Sequence, residues 1–324
     1  MNRTFTDLVK FISCIAIFIH HFFLESPIVA MFGYIACSIF FFLSAYGIYK
    51  SLTKKPMELV PFCKYRLLKI YKPLLLVNVL FIILTGPLCI GNIRIPIFDV
   101  FCNSITFVKQ ADMFQIIEYA IGLVKIDSVT WFLDVLLVSY FLIWGISKMR
   151  NRKEKNLAII GAAGAYLLGC VLLTPPIYYW IDPIGIVIGL LFTVNDNLII
   201  DRIKKNYVPL VTLAIVLLLF AVVGVQYIFH DSLLGRYQKC LALCASLLSV
   251  LLVIIIGLNI KMKRCTVITW VSSISYFIYL IHVKVANIVC YMLGHSSFIL
   301  SLVLVICLSG ILYKANKILS YGKI

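Results

Sequence analysis

The sequence predicts an all-α polytopic membrane bundle of about ten transmembrane helices with both termini cytoplasmic. Three observations predict it. Of 324 residues 63% are hydrophobic and only 13% charged, and the mean hydropathy is +1.06, values that exclude an ordinary soluble domain. Ten apolar stretches lie near the ~20 residues that a bilayer crossing requires. Lys and Arg cluster in every second connection, as the positive-inside rule demands.

The first span is expected over 7–24. Its basic start and apolar run resemble a signal peptide, but no small-residue cleavage site follows and the run continues through His20, His21 and Glu25, so it reads as a retained span. A turn over 25–27 without Lys or Arg leads to the second span, 28–49. Seven basic residues over 50–72 precede and enter the third, 71–90. The longest connection, 91–130, holds only Arg94, Lys109 and Lys125. It is too short for a separate catalytic domain, so residues 1–324 are expected to form one membrane domain with the chemistry inside the bundle. Within it, 113–124 reads as an interfacial or re-entrant helix that does not cross.

The fourth span, 131–148, and the fifth, 157–173, flank five basic residues over 148–155, and a turn over 174–176 without basic residues leads to the sixth, 177–194. Three basic residues over 202–205 precede the seventh, 208–229. Arg236 and Lys239 stand beside the start of the eighth, 234–258. Three more over 261–264 precede the ninth, 266–290, and a turn over 293–296 without Lys or Arg leads to the tenth, 297–318, with three basic residues after 313. Adding two at the amino end places 23 of the 29 Lys and Arg on one side. That side is cytoplasmic, the span count is even, and a multi-pass protein of the cell membrane is expected. The net charge of +16 reflects these loops rather than a basic patch on a folded surface, so no nucleic-acid partner is expected.

Most of the eleven Cys fall within spans and none forms C-x-x-C; Cys240 and Cys244, four apart, read as packing rather than a metal site. No metal is expected. The chain carries no Walker A sequence, no H-E-x-x-H, no G-x-S-x-G and no convincing internal repeat.

Five constellations carry candidate chemistry. Lys10 and His21 are eleven residues apart on the first span, so at ~100° per residue they share one face, about 16.5 Å apart along the axis. Ionisable groups within a bilayer cost about 2.5 to 3.5 kcal/mol on insertion scales, which invites a functional reading, against the plain one of a snorkelling Lys and a packed His. Glu25, four residues beyond His21, is placed to orient the imidazole and favour its protonated form; with Pro27 so close, capping of the span in water is the favoured alternative. In the basic, amphipathic connection 61–73, Arg66 and Lys69 lie three apart and on one face if helical, suited to the phosphates of an anionic cofactor or to anionic lipid headgroups. Ser275, Tyr279 and His282 follow i, i+4, i+7 on one face of the ninth span, either lining a cavity with His21 or hydrogen-bonding neighbouring helices. Asp134, after Trp131, Phe132 and Leu133, is a further carboxylate near the outer end of the fourth span, or a solvated helix end.

Together these residues resemble the acyltransferase-3 family of integral membrane O-acyltransferases over nearly the whole chain. The spacing of Lys10 and His21, with Asp7 ahead, is similar to that family's first-span pattern of a basic residue, ten residues and a functional His; His20 does not fit that spacing. The segment 41–47, which contains Ser44, resembles its F-F-x-x-S-G, the stretch from Arg66 to Lys69 its R-x-x-R, and Ser275 to His282 its S-Y-x-x-Y-L-x-H, while Trp131, Phe132 and Leu133 also match. Two positions depart. Ala45 stands where the family usually has Gly, which adds a methyl to a close helix contact, and Lys69 replaces Arg, which keeps the charge but loses the planar fork that grips phosphate bidentately.

The resemblance implies acyl-CoA, above all acetyl-CoA, as donor, with its phosphates on Arg66, Lys69 and Lys10. It implies His21 as general base on a hydroxyl of a cell-envelope or exported carbohydrate such as a polysaccharide. The partners expected are therefore acyl-CoA, a carbohydrate acceptor and the lipid bilayer; the acceptor and the oligomeric state are not specified by the sequence. The rival class is a proton-coupled transporter or flippase of envelope precursors, for which inverted repeats with paired broken helices are expected and are not apparent.

Overall fold

The computed structural model describes residues 1–23, 26–85, 117–118, 131–228 and 235–321. Among these there is no strand. The helices are α1 (Arg3–Phe22), α2 (Pro27–Lys54), α3 (Leu59–Thr85), α4 (Trp131–Lys148), α5 (Arg152–Leu173), α6 (Ile177–Ile181), α7 (Ile184–Val194), α8 (Asp196–Lys205), α9 (Tyr207–Ile228), α10 (Gly235–Asn259), α11 (Thr266–Leu293) and α12 (Phe298–Tyr321). Nine stretches among the described residues are long and apolar enough to cross a membrane, with α6 and α7 counted as one. They coincide with nine of the ten expected spans and make this a multi-pass membrane protein. The other expected span, 71–90, begins within α3 and runs beyond Thr85, outside the described residues. The proposed interfacial helix at 113–124 also lies outside them, apart from Ile117 and Glu118.

Two elements differ from the sequence reading, both at a proline. α3 starts at Leu59, so the basic connection and the third span are one helix that continues through Pro73. The sixth span is instead broken at Asp182 and Pro183 into α6 and α7. Proline removes one N–H and crowds the carbonyl four residues back, and a membrane supplies no water to repair the loss. At Pro183 that carbonyl belongs to Tyr179, and the Tyr166 hydroxyl on α5 donates to it at 2.8 Å. At Pro73 the next carbonyl along, that of Ile70, accepts the Tyr276 hydroxyl of α11 at 3.1 Å. A tyrosine from another helix thus serves the backbone at each proline.

The chain forms two compact units, Met1–Leu59 with Val135–Ser272, and Val60–Asp134 with Ser273–Ile324. In the first, α2 packs on α7, α1 and α10, and α9 packs on α10. Phe5 and Val9 of α1, Ile39, Phe42 and Leu43 of α2, Ile188 and Phe192 of α7, and Val250 and Ile254 of α10 form one buried cluster. Lipid is as apolar as these side chains, so association rests on close packing rather than on escape from water. The closest approach uses Gly185 and Gly189, four apart on α7. A Cβ at Gly185 would collide with the Ser38 carbonyl oxygen of α2, and one at Gly189 would stand 2.9 Å from the Phe42 carbonyl oxygen and 3.0 Å from the Ala45 methyl. The methyl that Ala45 adds on α2 is therefore met by a glycine on α7.

Polar ties fix the ends of these helices. The Asn2 carboxamide oxygen caps α1 by accepting from Thr4 N at 2.8 Å, and its Nδ2 donates to the Met262 carbonyl at 3.0 Å. Asn156 and Asn195 exchange amide hydrogen bonds of 3.1 and 2.9 Å. Lys50 pairs with Asp196 at 3.3 Å. In the second unit, α3 from Val60 onward, the first turn of α4, α11 from Ser273 onward and α12 supply the buried side chains, among them Phe62, Ile70, Leu74, Val77, Ile274, Phe277 and Val305.

Candidate functional site

α1 places Lys10 and His21 as the spacing requires. Both are half-buried, and between them the helix buries Cys14, Ile17 and Phe18. One turn before Lys10, the buried Asp7 carboxylate accepts the Ser272 hydroxyl at 2.7 Å. Oxygen-to-carboxylate bonds of that length are the strong kind, and this one ties α1 to the start of α11. The His21 ring lies edge to face with the His20 ring, their centroids 4.7 Å apart at 73°. Glu25, the carboxylate expected to orient His21 or cap the span, lies outside the described residues. Ser44 is half-buried on α2 between the buried Phe41, Phe42 and Ala45.

The second unit gathers three of the sequence segments. On α11 the Tyr279 ring lies 6.2 Å from the His282 ring and 5.6 Å from the Phe132 ring at the start of α4. Tyr276 stacks on Tyr279 at 6.3 Å and 13°, and its hydroxyl reaches the Ile70 carbonyl one residue beyond Lys69. The aromatic series from Phe132 to Tyr276 thereby connects the fourth-span segment, the ninth-span stripe and the helix that carries Arg66 and Lys69. Arg66 is half-buried with its guanidinium 5.5 Å from the Tyr65 ring centre and 5.8 Å from that of Phe62, while Lys69 is exposed. Stacked guanidinium groups retain their charge and their in-plane donors, so this pair presents cations from one helix. Ser275 is half-buried, and Asp134 is exposed in the first turn of α4, where a carboxylate sits favourably against the helix N-terminus.

His282 is 2% exposed. Its Nδ1 lies 2.7 Å from the Tyr279 carbonyl and 3.2 Å from that of Ile278. Carbonyls only accept, so Nδ1 carries the proton and Nε2 is the basic nitrogen. Nδ1 is thus committed to the backbone of its own helix.

The sequence reading passed over Tyr276, whose position in the motif carries no sign of its partner, and Asp182. The latter sits in the break between α6 and α7 at 1% exposure; the Cys37 thiol donates to its carboxylate, and its Oδ1 has no hydrogen-bond partner among the described residues. An Asp followed by Pro in the middle of an apolar stretch is a signal that would have identified it. Among the described residues, no group of three or more His, Cys, Asp or Glu is placed to hold a metal ion.

The acyltransferase-3 family model, described as an acyltransferase domain, matches residues 3–314. No curated protein and no solved structure matches the chain.

Proposed function

The chain belongs to the acyltransferase-3 family and is a membrane acyltransferase, and on that premise we propose that it moves an acetyl group from acetyl-CoA to a hydroxyl of a cell-envelope carbohydrate. The observation that carries this reading is the alignment of Lys10 and His21 along one face of a single membrane helix, with both side chains half-buried.

In this reading the donor arrives from the cytoplasm, and Arg66, Lys69 and Lys10 are the cations proposed to bind its phosphates. His21 removes the proton from the acceptor hydroxyl as the oxygen attacks the thioester carbonyl. The new C–O bond forms, the C–S bond breaks, and the imidazolium returns its proton to the departing CoA thiolate, so the reaction balances without a cofactor of another class. General-base assistance of this kind contributes about 10² to 10⁴-fold. Ser44, Ser275, Tyr279 and Asp134 remain candidates for orienting the acceptor.

The broken span with its buried Asp182 is the observation that favours the transporter reading, since discontinuous helices with buried carboxylates occur in ion-coupled carriers. One assay separates the two. Membrane vesicles containing the protein, supplied with labelled acetyl-CoA on the cytoplasmic face, should incorporate label into envelope glycan, and His21→Ala vesicles at matched protein level should not. Equal labelling with the variant would remove His21 as the base. Carrier activity without labelled glycan would favour the transporter.

A further inference from the structure

His20 lies outside the family spacing, yet the first unit builds a seat for it. At 100° per residue it points to a different side of α1 from His21, toward α2. There the ring lies against Gly33. A Cβ at that position would fall 2.6, 2.7 and 2.8 Å from the Cγ, Cδ2 and Nδ1 atoms of His20, distances that only displacement of the imidazole relieves. Gly33 is buried within α2 and has no positive φ, so glycine is required here for space and not for backbone freedom.

The other sides of the ring are also occupied. Tyr34 stands 6.1 Å away between ring centres, and the carbonyl oxygens of Val29 and Ala30 lie within hydrogen-bonding reach. Nδ1 is buried and has no hydrogen-bond partner among the described residues. The ring so held meets His21 edge to face at 4.7 Å.

We propose that His20, seated against Gly33, is a positioning residue for His21 in acyl transfer. The proposal rests on the reading of His21 as the base. A general base must hold hydrogen-bond distance to the proton it removes. Misplacement by about 1 Å can cost on the order of 100-fold in rate. The imidazole of His20 blocks the rotation of His21 toward α2 and so holds it in the orientation from which it acts. Gly33 acts one step further back, by admitting the His20 ring.

The test is the rate of acetyl transfer from labelled acetyl-CoA in vesicles holding the full chain, at matched levels of folded protein. His20→Ala and Gly33→Ala should each lower kcat about tenfold and leave the KM for acetyl-CoA unchanged. His20→Phe, which keeps a flat ring in the seat, should recover most of the loss. In the His20→Ala background Gly33→Ala should have no further effect, because the ring with which its methyl collides is gone. Wild-type kcat in His20→Ala, or an equal loss from Gly33→Ala in both backgrounds, would overturn the proposal. A His21→Ala protein that still transfers acetyl would overturn it together with the reading of His21 as base, whereas an inactive His21→Ala beside a fully active His20→Ala would overturn this proposal alone.

Discussion

Each unit of the molecule holds an imidazole inside an apolar helix, and the two are held in opposite ways. His282 is buried in the interior of α11 and its Nδ1 is spent on the carbonyls of its own helix. His21 is half-buried in the last turn of α1, against the ring of a second histidine that is itself wedged on a glycine. The bond from Nδ1 to its own backbone lowers the cost of burying the His282 ring. In the proposed reaction His21 must be reached by a substrate hydroxyl, which its partial exposure allows. The residue type is shared; accessibility separates the two side chains.

The largest effect expected follows directly. His21→Ala should lower kcat by about 10² to 10⁴-fold with little change in the KM for acetyl-CoA, as read from labelled transfer at varied donor concentration. His282→Ala should act on stability, by about 2 to 4 kcal/mol for a buried side chain removed from a packed site, and its activity per folded molecule should stay within tenfold of wild type. Large losses of kcat in both variants at full stability would give the two imidazoles the same role.

The cationic helix of the second unit should affect binding rather than chemistry. Replacing Arg66 and Lys69 together by Ala should raise the KM for acetyl-CoA about tenfold or more at near-constant kcat, whereas Lys69→Arg, which restores the planar fork, should lower it. An unchanged KM in the double variant would assign this pair to lipid headgroups. A smaller effect is expected at Gly189. Gly189→Ala places a methyl against Ala45 and the Phe42 carbonyl and should cost about 1 to 3 kcal/mol of stability, as overpacking does, read as a lower melting temperature in detergent; Ala45→Gly in the same chain should restore part of it. Smallest is Tyr276→Phe. Loss of the hydroxyl to the Ile70 carbonyl should cost about 1 kcal/mol and raise the KM for the donor a few-fold, through the helix that carries Lys69.

The legibility of the molecule in its sequence follows the same division. Apolar length and the alternation of basic loops predicted the helices closely, because insertion depends on summed hydrophobicity and flanking charge, both of which are local. Lys10, His21 and the stripe from Ser275 to His282 were readable from helical spacing. The fate of a proline was not. Pro73 lies within a continuous helix and Pro183 at a break, and the hydroxyls that serve the adjacent backbone come from Tyr276 and Tyr166, far away in the chain. The seat of His20 was equally hidden, since nothing in α1 announces that Gly33 of the next helix will face it. Gly185 and Gly189 were a partial exception: two glycines four apart in an apolar run are a known packing signal, and only their partners on α2 needed the structure.

Direct comparison of the two imidazoles tests His21 as the base. Single-turnover transfer of labelled acetyl would be timed in vesicles bearing wild type, His21→Ala or His282→Ala, each normalised to folded protein. The rate should fall at least 100-fold below wild type for His21→Ala and stay within tenfold of it for His282→Ala. A His21→Ala protein that transfers at the wild-type rate, or a reversed order of the two variants, would contradict His21 as the base.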